Sequence, residues 1–272
     1  MFNKLFTSLV ITALMFFSSF ASADAPTPCV IMIGASFADQ HWPAVTDVTT
    51  KMETVDSRNN LFDGSYLGLC PLLQKALDKS RTVVCPAVAG SMSTDLDLDF
   101  GPTHIKAPGY LSQLQQGIHE CTSKGILVPT SLVITLANDG SASIQSTLKT
   151  IDMFRDVYRN AYPNEYPNII VQAYPQTMPN YALEYNTALT LHGPYWGSVI
   201  QAFLKTLPTP DQYAQLVQAH SDALSNYGIN YLAFFQPDYA TREDGVHPTL
   251  QAMKYAVFVV KQALQHSVKT DE

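Results

Sequence analysis

Short apolar runs alternate along this chain with longer segments in which apolar residues recur at helical spacing. The short runs are apolar throughout and rich in β-branched residues, which is typical of strands buried on both faces of a parallel sheet. They predict strands over residues 29–33, 82–88, 131–136, 168–173 and 230–235. The longer segments predict helices over residues 66–79, 109–124, 141–161, 211–227 and 248–266. Because crossovers between parallel strands are right-handed, this alternation predicts an α/β three-layer, doubly wound sandwich.

Two connections between these predicted elements are longer than compact domains usually have. Residues 37–64 are polar with little helical pattern, and residues 174–210 are interrupted by prolines and rich in aromatic residues. Both begin at the carboxyl end of a predicted strand, the edge at which open α/β sheets bind ligands. We interpret both as long loops. The aromatic residues of segment 174–210 either pack locally or face a substrate.

The amino-terminal segment has the pattern of a secretory signal peptide. Lys4 supplies a positive charge, an uncharged apolar run follows, and the run ends in Ala-Ser-Ala at residues 21–23, a small-x-small cleavage site. The alternative is an uncleaved anchor helix, although the run is short for a bilayer span. The sequence therefore predicts a cleaved signal peptide over residues 1–23, a single domain over residues 24–272, and a secreted or periplasmic location.

The net charge restricts the possible partners, and the cysteine content indicates the cellular compartment. The whole sequence has a formal charge of −7, and removal of Lys4 with the signal peptide makes it −8. This acidic balance argues against nucleic acid as a partner.

An even number of cysteines in an exported chain favours two disulfides, for which three pairings are possible. The alternative is that the cysteines are free buried thiols. The four cysteines are Cys29, Cys70, Cys85 and Cys121.

A serine and a histidine stand where a nucleophile and its base are needed. Ser36 directly follows the first predicted strand, where the chain must turn out of the sheet, and a serine hydroxyl needs a base to become nucleophilic. Among the seven histidines, His247 has a carboxylate, Asp244, three residues earlier and a proline directly after it. Asp244 can orient the imidazole so that its Nε2 atom faces the serine. The alternative role for Asp244 is to cap a helix.

Two further residues suit the stabilisation of a tetrahedral oxyanion. Gly90 follows the second predicted strand and can offer an unobstructed backbone N–H, and Asn138 follows the third and can offer its side-chain amide. Glycine and asparagine at strand ends are also ordinary turn residues. Their common position at one edge of the sheet, together with Ser36, favours the chemical interpretation.

These residues and their order resemble the conserved blocks of the SGNH, or GDSL-type, serine hydrolases over about residues 29–266. The resemblance implies a catalytic triad of Ser36, Asp244 and His247, and an oxyanion hole formed by Ser36, Gly90 and Asn138. It also implies a flavodoxin-like sandwich with a five-stranded parallel sheet. The family's Gly-Asp-Ser-Leu reads Gly-Ala-Ser-Phe at residues 34–37, and its Gly-x-Asn-Asp reads Leu-Ala-Asn-Asp at residues 136–139.

The resemblance implies an exported carboxylic ester hydrolase that works through an acyl-enzyme and requires no metal or cofactor. The aromatic residues of segment 174–210 favour a lipolytic, lysophospholipase-like enzyme, with a small-molecule or lipid ester as substrate and transient contact with lipid surfaces. Two alternatives stay open, a glycan O-acetyl esterase and a non-catalytic binding protein of the same fold. The nucleophile elbow of α/β-hydrolases is disfavoured, because several strands precede the nucleophile in that fold and only residues 24–35 precede Ser36 here.

Overall fold

The computed structural model describes residues 28–38, 68–77, 80–88, 91–99, 104–137, 142–225, 227–241 and 245–266. The strands are β1 (Cys29–Ile33), β2 (Thr82–Val84), β3 (Leu96–Asp99), β4 (His104–Ala107), β5 (Ser131–Ile134), β6 (Asn168–Gln172) and β7 (Asn230–Leu232). The helices are α1 (Leu69–Leu77), α2 (Tyr110–Ser123), α3 (Ala142–Ala161), α4 (Tyr181–Lys205), α5 (Pro210–Ser225) and α6 (Leu250–His266). The proposed signal peptide lies outside the described residues.

The central sheet has five strands in the order β2-β1-β5-β6-β7, and every neighbouring pair is parallel. This doubly wound arrangement confirms the predicted five-stranded sandwich. The order reverses at β1, since β2 is added on one side of β1 and the later strands on the other. Such a reversal opens a crevice at the carboxyl ends of the two strands that flank it, here β1 and β5.

The side chains of β1 divide the core into two layers. Val30 and Met32 belong to the layer beneath α1 and α6, whereas Ile31 and Ile33 belong to the layer beneath α2 and α3. All four side chains are completely buried, because successive residues of a strand point to opposite faces and both faces are covered by helices. Burial of each one contributes about 1.5–3 kcal/mol, so the first strand is a rigid base for the turn that follows it.

Several strands end earlier than their apolar runs. The run over residues 82–88 is a strand only as far as Val84, and the run over residues 230–235 only as far as Leu232. Phe234 and Phe235 remain buried beyond the strand end, in the same core layer as α6. An apolar pattern reports burial rather than ladder pairing, which explains why it extends past the last paired residue.

The interpretation of residues 174–210 as one long loop is wrong. The segment contains α4, a helix of 25 residues that continues through Gly193 and Pro194. A proline removes one backbone donor, but neighbouring turns can carry the helix past it. The antiparallel pair β3–β4 was also not predicted. Most of the other predicted loop, residues 37–64, lies outside the described part of the chain.

Two disulfides select one of the three alternative pairings. Cys29 at the start of β1 is joined to Cys121 in α2, with Cα atoms 6.2 Å apart. Cys70 in α1 is joined to Cys85, directly after β2, with Cα atoms 6.1 Å apart. The prediction of two disulfides is therefore confirmed, and the bonds are compatible with an oxidising, extracytoplasmic compartment.

Among the described helices, none combines the length and apolarity that a bilayer crossing requires.

Candidate active site

Ser36 lies on the turn that leaves the carboxyl end of β1, at the point where the strand order reverses. The turn is closed by a hydrogen bond from the Ala38 N–H to the Ala35 carbonyl, at 3.0 Å. Ser36 is 9% exposed, so its hydroxyl lies almost completely within the protein. The carboxyl ends of β1 and β5 thus present a shielded hydroxyl at the edge where open α/β sheets bind ligands.

Gly34 fixes the conformation of this turn. Its φ angle of +138° lies in a region that L-residues with side chains rarely adopt. Its N–H donates to Oε1 of the buried Gln113 in α2 at 2.7 Å, and its carbonyl accepts from the Val88 N–H at 3.3 Å. A Cβ atom here would lie 2.9 Å from the Thr135 carbonyl oxygen. Hydrogen bonds to Gln113 and Val88 and the close approach of Thr135 therefore fix the backbone before Ser36.

We expect Gly34→Ala to destabilise the fold by about 3 kcal/mol, because it combines left-handed strain with a steric overlap. The change in free energy of unfolding can be measured by urea denaturation. Gly125→Ala is the matched control, since Gly125 also has a positive φ angle of +80° but its Cβ would meet nothing within 4 Å. The control should cost about 1 kcal/mol. Equal losses in the two variants would contradict the close packing at Gly34.

His247 faces Ser36 from the turn between β7 and α6. Its Nε2 atom lies 2.7 Å from Ser36 Oγ, and the side chain is 1% exposed. In the neutral tautomer that carries its proton on Nδ1, Nε2 accepts the hydrogen bond from the serine hydroxyl. The Phe37 ring packs edge-on against the imidazole, with ring centroids 5.8 Å apart. The structure thus brings together a hydroxyl and a base in the geometry of an activated nucleophile.

Hydrogen bonds hold the turn that carries His247. The Tyr239 hydroxyl donates to the Val246 carbonyl at 3.2 Å, and the Thr249 N–H donates to the Ala240 carbonyl at 2.9 Å. Thr249 Oγ1 also accepts from the Ala252 N–H at 3.4 Å. This cap explains why α6 begins at Leu250, two residues after the predicted start. The imidazole is therefore fixed by backbone contacts on both sides of it.

The other sequence-predicted site residues, Gly90, Asn138 and Asp244, lie outside the described residues. The structure does describe residues that shortly precede two of them, Gly90 and Asn138. Val88 bonds to the carbonyl of Gly34, and the carbonyl of Ala137 accepts from the Tyr174 hydroxyl at 3.3 Å. The segments that lead to Gly90 and Asn138 therefore both leave the carboxyl edge of the sheet, where Ser36 lies.

Tyr174 is a site-supporting residue that the sequence did not single out. It is 4% exposed, and its hydroxyl lies 3.2 Å from Ser143 Oγ as well as beside the Ala137 carbonyl. Its ring packs against His220, whose pKa burial lowers from 6.5 to about 4. His220 is therefore uncharged at neutral pH. A neutral aromatic cluster thus supports the backbone directly before Asn138.

Glu184 is a second residue that the sequence did not indicate. It lies in the first turn of α4 and is 7% exposed, and its Oε1 atom is 3.9 Å from His247 Nδ1. Because residues 174–210 were interpreted as a loop, no pattern placed this carboxylate near the histidine. The imidazole therefore has the serine hydroxyl at Nε2 and a buried carboxylate on the side of Nδ1.

Two tyrosines of α4 interact electrostatically with Glu184. Burial raises the pKa of Tyr181 well above its usual value of 10, and the neighbouring tyrosines and Glu184 raise it further. Burial and then Glu184 also raise the pKa of Tyr185. Both phenols are therefore neutral at physiological pH.

Across the described ranges, no three His, Cys, Asp or Glu side chains converge in a way that could hold a metal ion.

No protein-family model matches the chain, and no curated protein sequence matches it significantly. Solved structures do share its fold. A carbohydrate acetylesterase family member from Sinorhizobium meliloti aligns with a TM-score of 0.53 and 14% identity, over 89% of this chain and 99% of that one. Est24, a carbohydrate acetylesterase from the same organism, aligns with a TM-score of 0.51 and 12% identity, over 88% of this chain and 99% of Est24. The chain therefore shares the fold of these two esterases, with the five-stranded parallel sheet that its sequence predicted.

Proposed function

We propose that this chain is a carboxylic ester hydrolase of the SGNH type. The observation that carries the proposal is the 2.7 Å hydrogen bond between Ser36 Oγ and His247 Nε2, buried at the strand-order reversal of the sheet. A serine hydroxyl becomes a useful nucleophile only when such a base can accept its proton. The likeness in fold to solved esterases supports the same assignment.

The reaction proceeds through an acyl-enzyme. His247 accepts the hydroxyl proton at Nε2 while Ser36 Oγ attacks the ester carbonyl carbon, and the carbonyl electron pair moves onto oxygen. When the tetrahedral intermediate collapses, the alcohol leaves with the proton held by His247. Water then repeats the sequence on the acyl-enzyme, and the acid is released. Asp244 orients the imidazole in this mechanism, and no metal or cofactor takes part.

The oxyanion is held by the backbone N–H groups of Ser36 and Gly90 and the side-chain amide of Asn138. We expect Asn138→Ala to lower kcat by about two to three orders of magnitude, the usual effect of losing one oxyanion donor. KM should change little, because the donor acts mainly on the transition state. Steady-state kinetics on a p-nitrophenyl ester measure both constants. Activity within a few-fold of wild type would mean that Asn138 is only a turn residue.

Two substrate classes fit the proposed chemistry. The aromatic content of residues 174–210 supports a lipolytic enzyme that contacts lipid surfaces transiently. The description of the two structures of the same fold as carbohydrate acetylesterases supports a glycan O-acetyl ester instead. A series of p-nitrophenyl esters from acetate to palmitate, run beside a lysophospholipid and an acetylated sugar, separates them. Preference for acetate alone would contradict the lipolytic assignment.

A non-catalytic binding protein of the same fold is the remaining alternative. A fluorophosphonate probe distinguishes it, since the probe forms a covalent bond only with an activated serine. We expect labelling of the wild type and none of Ser36→Ala. An unlabelled but folded wild type would favour the binding protein.

We also propose that residues 1–23 are removed on export and that residues 24–272 form one domain. The two disulfides support an oxidising destination. The mass of the mature protein, recovered from the extracytoplasmic fraction, tests the cleavage site directly.

A further inference from the structure

We propose that Glu184 is a positioning residue, a carboxylate that stabilises the protonated form of His247 during ester hydrolysis. This inference rests on the proposed function and deepens it. The resemblance in sequence implies one acid, Asp244, close to the histidine along the chain. Glu184 would act with it from a different element, the amino-terminal end of α4.

Distance and burial are the first evidence. Glu184 Oε1 lies 3.9 Å from His247 Nδ1, and both side chains are almost completely shielded from water. This separation exceeds that of a hydrogen bond but is well within the range of a charge–charge interaction. Screening by solvent is weak at buried sites, so a carboxylate here interacts with the imidazolium that forms when His247 accepts the serine proton. Catalytic hydrogen bonds are often long without substrate and shorten when it binds.

The packing between α4 and the histidine turn is the second evidence. The Asn180 N–H donates to the Gly245 carbonyl at 3.3 Å, two residues before His247. Gly245 has a φ angle of +75°, and a Cβ atom there would lie 3.0 Å from Leu183 Cδ2 and 3.1 Å from Asn180 Cβ. The first turn of α4 therefore packs closely against the turn that carries the imidazole. Glu184 follows Leu183 directly, so its backbone is held at this contact.

The start of α4 also suits a negative charge. Asn180 caps the helix, because its Oδ1 atom accepts from the Leu183 N–H at 3.1 Å. A carboxylate in the first turn of a helix is stabilised by the helix dipole. The neighbouring Tyr181 and Tyr185 stay neutral at physiological pH, since their pKa values are raised. Among these described groups, the side chain of Glu184 is the one that brings negative charge to the imidazole.

Glu184→Gln tests the role with little change in shape. We expect kcat to fall by about 10–100-fold, the order found when a carboxylate behind a metal-ligating histidine is removed. KM should stay within a few-fold, and the rate at which a fluorophosphonate labels Ser36 should fall in parallel. Glu184→Asp keeps the charge and should recover part of the lost kcat. Glu165→Gln is the matched control, since this exposed carboxylate lies before β6, at the opposite edge of the sheet, and bonds to Tyr158 at 3.1 Å.

The double variant separates a positioning role from a structural one. If Glu184 acts through His247, Glu184→Gln should lower the residual activity no further in a His247→Ala background. A kcat within twofold of wild type in Glu184→Gln would overturn the inference. So would an equal loss in both backgrounds, or a loss explained by a lower thermal midpoint with no recovery in Glu184→Asp. The proposed function fails separately, if the wild type hydrolyses no ester or if Ser36→Ala retains its activity.

Discussion

His247→Ala should lower kcat for ester hydrolysis by roughly 10⁵–10⁶-fold, as in serine hydrolases that lose their base, and leave only a small residual activity. The physical reason is the 2.7 Å contact between Nε2 and Ser36 Oγ. Without the imidazole, the hydroxyl proton has no acceptor and the leaving alcohol has no donor. Release of p-nitrophenol and labelling of Ser36 by a fluorophosphonate should both be lost.

Ser36→Ala should show the same loss, and the combined variant should be no less active than either single one, because the two residues act as a unit. His119→Ala is a suitable control, since His119 is an exposed histidine of α2 and should leave kcat unchanged. Circular dichroism establishes that each variant is folded. Wild-type activity in folded His247→Ala would contradict both the mechanism and the role of Glu184.

The sheet could be predicted because its strands are buried on both faces. Residues 29–33 are apolar throughout, and the observed strand has the same bounds as the predicted one. Elsewhere the pattern identified the strand but not its last residue, since Phe234 and Phe235 are buried without being paired to a neighbouring strand. The sequence pattern reports burial but not hydrogen-bond pairing. In β1 the buried and the paired residues are the same, whereas two residues after β7 are buried without being paired.

Local sequence was misleading where it suggested a break. Gly193 and Pro194 resemble the end of a helix, yet α4 continues through both. The short alternation Leu-Asp-Leu-Asp at residues 96–99 does have the period of a strand, and it pairs with residues 104–107. Its four residues are too few for the pattern alone to distinguish it from a loop.

The residues of the candidate active site also differ in whether the sequence could predict them. Ser36 could be predicted from its place after a strand, and His247 from its neighbours along the chain, and the structure brings these two together. Glu184 could not, because its approach to His247 depends on a helix within a presumed loop and on the packing of Asn180 and Leu183 against Gly245. Contacts between residues distant along the chain leave no periodic pattern.

Asp244→Asn should lower kcat, but by less than the roughly 10⁴-fold that follows when a histidine loses its only orienting acid. The reason is that Glu184 remains 3.9 Å from Nδ1, close enough to interact with the imidazolium formed during the reaction. We expect the loss of about 10⁴-fold only in the combined variant Asp244→Asn/Glu184→Gln, since neither carboxylate then supports the histidine. Single-turnover acylation with a p-nitrophenyl ester measures this step in all three variants.

The relation between the single and combined losses decides how the two acids act. If both support the same imidazole, the fold-change caused by Glu184→Gln should be larger after Asp244 has been replaced than before, because the remaining carboxylate then acts alone. Equal fold-changes would mean that the acids act independently. A full 10⁴-fold loss in Asp244→Asn, with no further loss in the combined variant, would instead assign the role to Asp244 by itself.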